Sequence, residues 1–225
     1  MQIQGKTRFT LLAISKLYNT RVNLVGIDEN HRWIRPMPVY QSDIFAQEKR
    51  VFEIFGVTEL VLNDWWGTAP RAEDRFYVRN PQLLPQLIKV LDETSKVKLL
   101  RSLVDDSVDS IFSRGRTLGL IKAVVKDVNF RRNPYTPLEY EARLVFEDTV
   151  GNMSYNWMVT DLMWHRTFQD FIRKNPGQLS NRLKETRQML NTRESYFVIG
   201  LTRTFLEHPG PYGGCWPQVL GIIVL

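Results

Sequence analysis

Residues 8–38, RFTLLAISKLYNTRVNLVGIDENHRWIRPMP, leave this chain few folds to choose from. Three apolar clusters of strand length follow one another, separated by short polar turns. Leu11, Leu12 and Ile14 lie in the first cluster, Val22, Leu24, Val25 and Ile27 in the second, Trp33 and Ile34 in the third. Asn19-Thr20 and Asp28-Glu29-Asn30 supply the turns, because their side chains can hydrogen-bond to nearby backbone and tolerate tight bends. The spacing predicts a compact β-meander. Lys16, Arg21, Arg32 and Arg35 stand at the strand ends. A meander with a basic rim and a Trp prone to exposure points to a small barrel that touches an anion.

Length and charge bound the rest. A chain of 225 residues makes one large domain or two small ones. Its hydrophobic share of 43% and aromatic share of 12% suit a packed globular protein. There is no apolar run of about eighteen residues, so no membrane span is expected. The N-terminus carries no signal-peptide pattern, which makes the cytoplasm the default expectation. One cysteine, Cys215, excludes an internal disulfide and a cysteine-rich zinc site. The formal charge of +6, from 30 basic and 24 acidic residues, is compatible with nucleic-acid contact without establishing it. The sequence closes on Ile222-Ile223-Val224-Leu225, which reads like strand interior: either a strand ends here or a tail follows.

Three blocks emerge along the chain. In residues 1–80, the meander is followed by a polar segment, Tyr40 to Arg50, that suits a helical turn. Val51 to Asn63 alternates like a long or bent strand, Asp64-Trp65-Trp66-Gly67 ends it, residues 69–74 form a loop and Arg75 to Arg79 closes the set. Five short strands in one such block are the tally of an OB-type barrel. In residues 81–109 the period changes. Leu83, Leu84, Leu87, Ile88 and Leu91, then Leu99, Leu100 and Leu103, recur at helical spacing, with Asn80-Pro81 as the start, so a helical connector is expected. Residues 110–225 return to strands: Arg116 to Arg131, a hairpin of Tyr140 to Phe146 with Ser154 to Thr160 around Gly151-Asn152, and two closing strands, Ser195 to Thr204 and Val219 to Leu225. A helical insertion, Met163 to Asn191, breaks at Asn175-Pro176-Gly177, and a Gly-Pro loop joins the last two strands. The expected class is mostly β with helical connectors, α+β, in two OB-like small barrels.

Candidate binding residues follow from chemistry. Trp33 and Arg35 lie two apart and share a strand face, so a base could stack on one while the other meets a phosphate. Lys16 and Arg21 bracket the first turn, where OB barrels hold oligonucleotides. Arg131 and Arg132, beside Phe130 and Tyr135 and downstream of Lys122 and Lys126, mix cations with rings. Trp157 and Arg203 complete a second surface. Asn156, Asp161 and Trp164 could line a pocket, but Thr160 or Asp161 also suits the N-cap of the following helix. His31, His165 and His208 lack metal-ligand spacing, and Cys215 lacks a CxxC mate, so no metal and no cofactor are expected. A Cys215–His208 nucleophilic pair has no supporting motif. Neither a GxSxG, a P-loop nor a GxGxxG motif occurs, and Glu139 with Glu141 gives no general-acid signal.

The order LAISK, LYNTRVNLVGID, NHRWIRPMP resembles the opening of the dual OB domain-containing proteins, a bacterial family. Ser15, Lys16, Gly26, Trp33, Ile34, Arg35 and Pro36 stand at that family's positions. Val159-Thr160-Asp161 resembles its late signature, and residues 196–201 and 218–225 its closing strands. The first turn is shorter than the family's and the insertion at 173–191 longer. The resemblance implies two OB barrels and, by the habits of that fold, nucleic-acid binding. The preferred expectation is non-catalytic binding of single-stranded RNA or DNA. The rivals are an accessory subunit docking a protein partner through the helices at 81–103 and 164–190, and a nucleotide or small-molecule sensor.

Overall fold

A computed structural model describes residues 5–17, 20–46, 49–64, 71–133, 140–150 and 153–225. Asn19, Trp65-Trp66-Gly67, Ala69, Tyr135, Glu139 and Gly151-Asn152 lie outside the described residues. The protein is mostly β, with 47% strand and 23% helix. It divides into two compact units, Met1–Leu103 with Gly115–Thr117, and Val104–Arg114 with Leu118–Leu225.

The first unit contains β1 (Lys6–Lys16), β2 (Arg21–Ile27), β3 (Trp33–Met37), β4 (Val39–Tyr40), a 3₁₀ turn (Gln41–Ile44), β5 (Phe45–Ala46) and β6 (Lys49–Arg50). β7 (Gly56–Asp64), β8 (Asp74–Tyr77), β9 (Gln86–Val90) and α1 (Glu93–Leu103) follow. β1 is long enough to serve two neighbours. Its second half pairs with β2 and its first half, Lys6–Thr10, with β7. β2 passes to β3, β3 runs parallel to β8, and β8 returns antiparallel to β7. The ring β1-β2-β3-β8-β7-β1 is therefore closed, and it is the five-stranded barrel of the OB type.

A buried ion pair crosses the parallel closure. Arg35 and Asp74 are register partners there, and Arg35 Nη1 donates to Asp74 Oδ1 at 3.1 Å. Arg71 Nη2 lies 3.2 Å from the same oxygen. The three side chains are 1%, 3% and 8% exposed for Arg35, Asp74 and Arg71. Next to them Arg35 N donates to Glu73 O, and the buried Glu73 carboxylate accepts from Thr117 N and Thr117 Oγ1, which ties residues 115–117 into this unit.

The connector differs from the sequence expectation. Residues 86–90 are not helical: they form β9, paired with Gly56–Glu59 of β7. Pro81 and Pro85 explain why, since a proline donates no backbone N–H and blocks a helix interior. Asn80 instead caps a turn, accepting from Gln82 N and Leu83 N. Helix begins only at Glu93, and α1 holds Leu99, Leu100 and Leu103.

The second unit contains α2 (Val108–Phe112), β10 (Leu118–Ile121), β11 (Ala123–Arg132), β12 (Tyr140–Asp148), β13 (Ser154–Val159), α3 (Leu162–Lys174), α4 (Leu179–Thr192), β14 (Ser195–Leu201) and β15 (Pro217–Val224). Only Lys122 separates β10 from β11, so the two are one bent strand. It forms both ends of the order β10-β14-β15-β13-β12-β11. β13 and β15 pair in parallel and the other neighbours antiparallel, which repeats the connectivity of the first barrel. The bend is held by Lys122, whose Nζ lies 2.7 Å from Glu194 Oε1 and over the Tyr196 ring. α3 and α4 turn Phe168 and Leu190 into the core with Leu144, Phe146, Trp157 and Phe197. These side chains of α3 and α4 are thus used inside this unit.

Removing Asp74 would take a buried carboxylate away from two buried guanidiniums. Asp74→Ala is expected to lose about 3–5 kcal/mol of stability in urea unfolding. A change within about 0.5 kcal/mol, typical of an unremarkable surface site, would contradict a structural role for this contact.

Candidate nucleic-acid interface

The residues expected to form a surface on the first barrel do not come together. Trp33 is 9% exposed and sits in the core, and the whole of β3 is buried. Arg35 is committed to Asp74, as described above. These two are corrections: a guanidinium sealed against a buried carboxylate cannot meet a phosphate, and a buried indole cannot stack a base. The fold forced both inward because β3 closes the barrel. Lys16 is half-buried at the end of β1, and Arg21 is exposed at the start of β2.

The expected pocket in the second unit is also occupied from within. Asp161 is the N-cap of α3: Oδ1 accepts from Met163 N at 2.8 Å and Trp164 N at 2.9 Å. Oδ2 accepts from Ile222 N at 2.8 Å, on β15. Burial pushes its carboxyl up, and the three backbone N–H groups pull the other way. Trp164 is half-buried with its ring 5.1 Å from Phe168. Trp157 faces inward, 7% exposed, edge-on to Phe146 at 5.3 Å. Alternation decides this, since Tyr155, Trp157 and Val159 share the core face of β13. Trp157, Asp161 and Trp164 are therefore structural. Lys122 is spent at the bend, where the hydrogen bond it donates to Glu194 raises its pKa.

The other side of the same strands is different. Asn129, Arg143, Met158 and Gln218 stand side by side across β11, β12, β13 and β15. Val145 pairs with Asn156, and Arg131 with Glu141. Arg143 organises this face. Its Nε donates to Asn156 Oδ1 at 2.8 Å, its Nη2 to Asn156 O at 2.6 Å and its Nη1 to Glu141 Oε1 at 3.0 Å. Arg131 reaches the same Glu141 oxygen at 3.8 Å, and Lys126 pairs with Glu147 at 2.8 Å. Arg132 is exposed at the end of β11 and makes no ion pair among the described residues.

The loop between β14 and β15, Thr202 to Trp216, leads into β15 just before Gln218 of this row. It is a built structure. Thr202 N donates to Trp216 O and Trp216 N to Thr202 Oγ1. Phe205 N donates to Gly214 O, and Tyr212 and Cys215 form a small bridge. Gly210 makes the fold-back fit, since a Cβ there would lie 2.1 Å from the Cys215 carbonyl oxygen. The Tyr212 ring anchors the loop 4.7 Å from Phe112 of α2. What the loop presents is Arg203, Phe205, Leu206 and Trp216. Phe205 is 44% and Trp216 46% exposed. Trp216 Nε1 donates to His208 O at 2.9 Å, which fixes the indole plane. Trp216 precedes Gln218 by two and immediately precedes β15, and like Gln218 it is not buried, whereas Pro217 between them is.

Arg143, Trp216 and Phe205 were missed from sequence. The signal existed for two of them: Arg143 alternates with the apolar Ala142 and Leu144, and Trp216 with Pro217 and Val219. Among the described residues, no cluster of three His, Cys, Asp or Glu is placed to hold a metal ion. Among the same residues, no helix is long and apolar enough to cross a membrane.

No protein-family model and no curated protein matches the chain. Among solved structures, a replication protein A heterotrimer bound to single-stranded DNA matches with 10% identity and a TM-score of 0.41. The match covers 99% of this chain and 49% of that one, so the chain spans about half the length of its neighbour. At that TM-score the likeness carries no argument, and the OB assignment rests on strand connectivity.

Asp161→Ala would remove a helix cap and orphan a donor on β15. The expected loss is about 2–3 kcal/mol by chemical denaturation, with Arg132→Ala as a neutral control. Equal stability of the two variants would contradict the cap assignment.

Proposed function

We propose that this chain binds single-stranded nucleic acid on the outer face of its second barrel, without catalysis. The observation that carries the reading is Trp216, exposed and hydrogen-bonded on the loop that leads into β15, two residues before Gln218, whose register partner Met158 stands in the outward row with Arg143. OB barrels take oligonucleotides on the face of strands two and three and on the loops joining strands one to two and four to five. Here those strands are β12 and β13, and the loop joining strands four and five is Thr202 to Trp216. Trp216 and Phe205 offer stacking platforms, and Asn156, its carbonyl oxygen held by Arg143, keeps amide N–H groups for a base edge. The proposed class of protein is the dual OB domain-containing family, on the resemblance of the Trp33-Ile34-Arg35-Pro36 and Val159-Thr160-Asp161 steps.

The electrostatics refine the mode of binding. Lys126, Arg131 and Arg143 already face carboxylates, so a phosphate arriving there displaces an anion the protein itself supplies. Counterion release is then small. Each net phosphate contact with a single strand contributes about −0.7 to the slope of log affinity against log salt. A face on which Arg132 makes no ion pair among the described residues should show a slope of about −0.7, shallower than a basic channel would give. Affinity comes mainly from stacking, worth about 1–3 kcal/mol per base.

Titration of oligo(dT) and oligo(U) against intrinsic fluorescence tests this. Trp216→Ala should abolish most of the quenching and weaken binding by about 1–3 kcal/mol. Glu141→Gln should tighten binding and steepen the salt slope by about 0.7 or more, because it frees Arg131 and Arg143. Unaltered affinity in Trp216→Ala at low salt would contradict the reading.

A further inference from the structure

We infer a separate phosphate-binding site on the first unit, formed by Arg21 and Arg79 around the Tyr40 ring. Where β2 pairs with β4, Arg21 and Tyr40 are direct partners. The Arg21 guanidinium carbon lies 5.6 Å from the Tyr40 ring centroid and that of Arg79 lies 4.4 Å from it. The two guanidiniums are therefore no more than about 10 Å apart.

One carboxylate stands here, and of the two arginines it serves Arg79 alone. Asp43 holds Arg79, with Nη2 at 2.5 Å from each carboxylate oxygen, and Asp43 Oδ2 also accepts from Tyr40 N at 2.9 Å. Asp43 is thus fixed to the backbone and orients Arg79. Nε and Nη1 of Arg79 make no hydrogen bond among the described residues. The same is true of the whole Arg21 guanidinium, whose one contact there is the ring. Both arginines are exposed. Nearby Tyr77 adds no negative charge. Burial pushes its hydroxyl up to about 12, Asp43 adds to the rise, and Arg79 opposes it.

A single arginine would satisfy the ring. A second one against the same ring, without a carboxylate of its own, leaves a local excess of positive charge with its donors turned to solvent. Phosphate oxygens match that arrangement, since each can accept from a guanidinium fork and the anion relieves the repulsion between the two cations. The span suits one phosphate held between the forks or neighbouring phosphates of a strand. The site uses none of the residues on the second barrel's face. Its chemistry is the phosphate group, carried by a polynucleotide, a mononucleotide or the free ion.

Calorimetry on the full chain tests it with three probes: inorganic phosphate, thymidine 5′-monophosphate and an oligo(dT), the last in a Trp216→Ala background to silence the other face. Binding should weaken by about tenfold or more in Arg21→Gln, with the melting temperature unchanged. Arg79→Gln should act likewise. If it fails to fold, Arg21→Gln still decides, because that guanidinium makes no hydrogen bond among the described residues. Arg21-dependent binding of phosphate and the monophosphate assigns the site to free phosphate esters. Arg21-dependent binding of the oligonucleotide alone assigns it to the polymer backbone. Absence of Arg21-dependent binding by all three overturns the proposal. Trp216 quenching in Arg21→Gln should stay at the wild-type level, so a failure here is distinguishable from a failure of the second barrel's reading.

Discussion

Both barrels depend on the same weak joint. An OB barrel closes where its third strand meets its fifth in parallel, and here that pairing is short. β3 and β8 share three residue pairs, β13 and β15 two. Parallel pairing is slightly weaker per residue than antiparallel, so so few pairs need help. Each barrel supplies it with polar groups at the joint. In the first, Arg35 reaches across to Asp74. In the second, Thr160 N donates to Val219 O at 2.8 Å, and Asp161 takes the N–H of Ile222. Different residues perform one task at one place in the topology.

This explains why the sharpest sequence steps do not mark the binding surface. Trp33-Ile34-Arg35-Pro36 and Val159-Thr160-Asp161 hold chemically expressive residues because closing a barrel through a buried joint demands them. A guanidinium survives burial when a carboxylate meets it, and a carboxylate when backbone N–H groups do. The candidate interface is drawn instead from residues on the outward alternation of β11, β12, β13 and β15 and from the loop ending at Trp216. Its cations are matched by Glu141 and Glu147, so rings and amides are left as its main currency.

The succession of strands along both units was largely legible in the sequence. The first meander, the hairpin of β12 and β13, the 3₁₀ turn after Tyr40 and the broken helical insertion all follow from apolar spacing and turn chemistry. The stretch around β9 was not legible. Leu83, Leu84, Leu87 and Ile88 repeat at helical spacing, and the open edge of β7 that claims residues 86–90 is a tertiary fact. The site was less legible than the fold. Which face of a strand looks outward depends on register: Asn156 and Trp157 are neighbours in sequence and stand on opposite sides of the barrel wall. Arg143 is unremarkable in sequence and becomes visible once β12 lies between β11 and β13. Asp161 is the intermediate case, where the capping role could be read from its place before a helix but the contact with β15 could not.

On this account the motif residues close the barrels, and Trp216 and the outward row of β12 and β13 meet the ligand. Photo-crosslinking with a 4-thiothymidine-substituted oligonucleotide, followed by peptide mapping, tests it most directly. Crosslinks are expected within residues 202–218 and at the outward positions 143, 156 and 158, with none at 33–37, 157 or 161. Crosslinks centred on Trp33 to Met37 or on Trp157, or their absence from 202–218 at low salt, would contradict it.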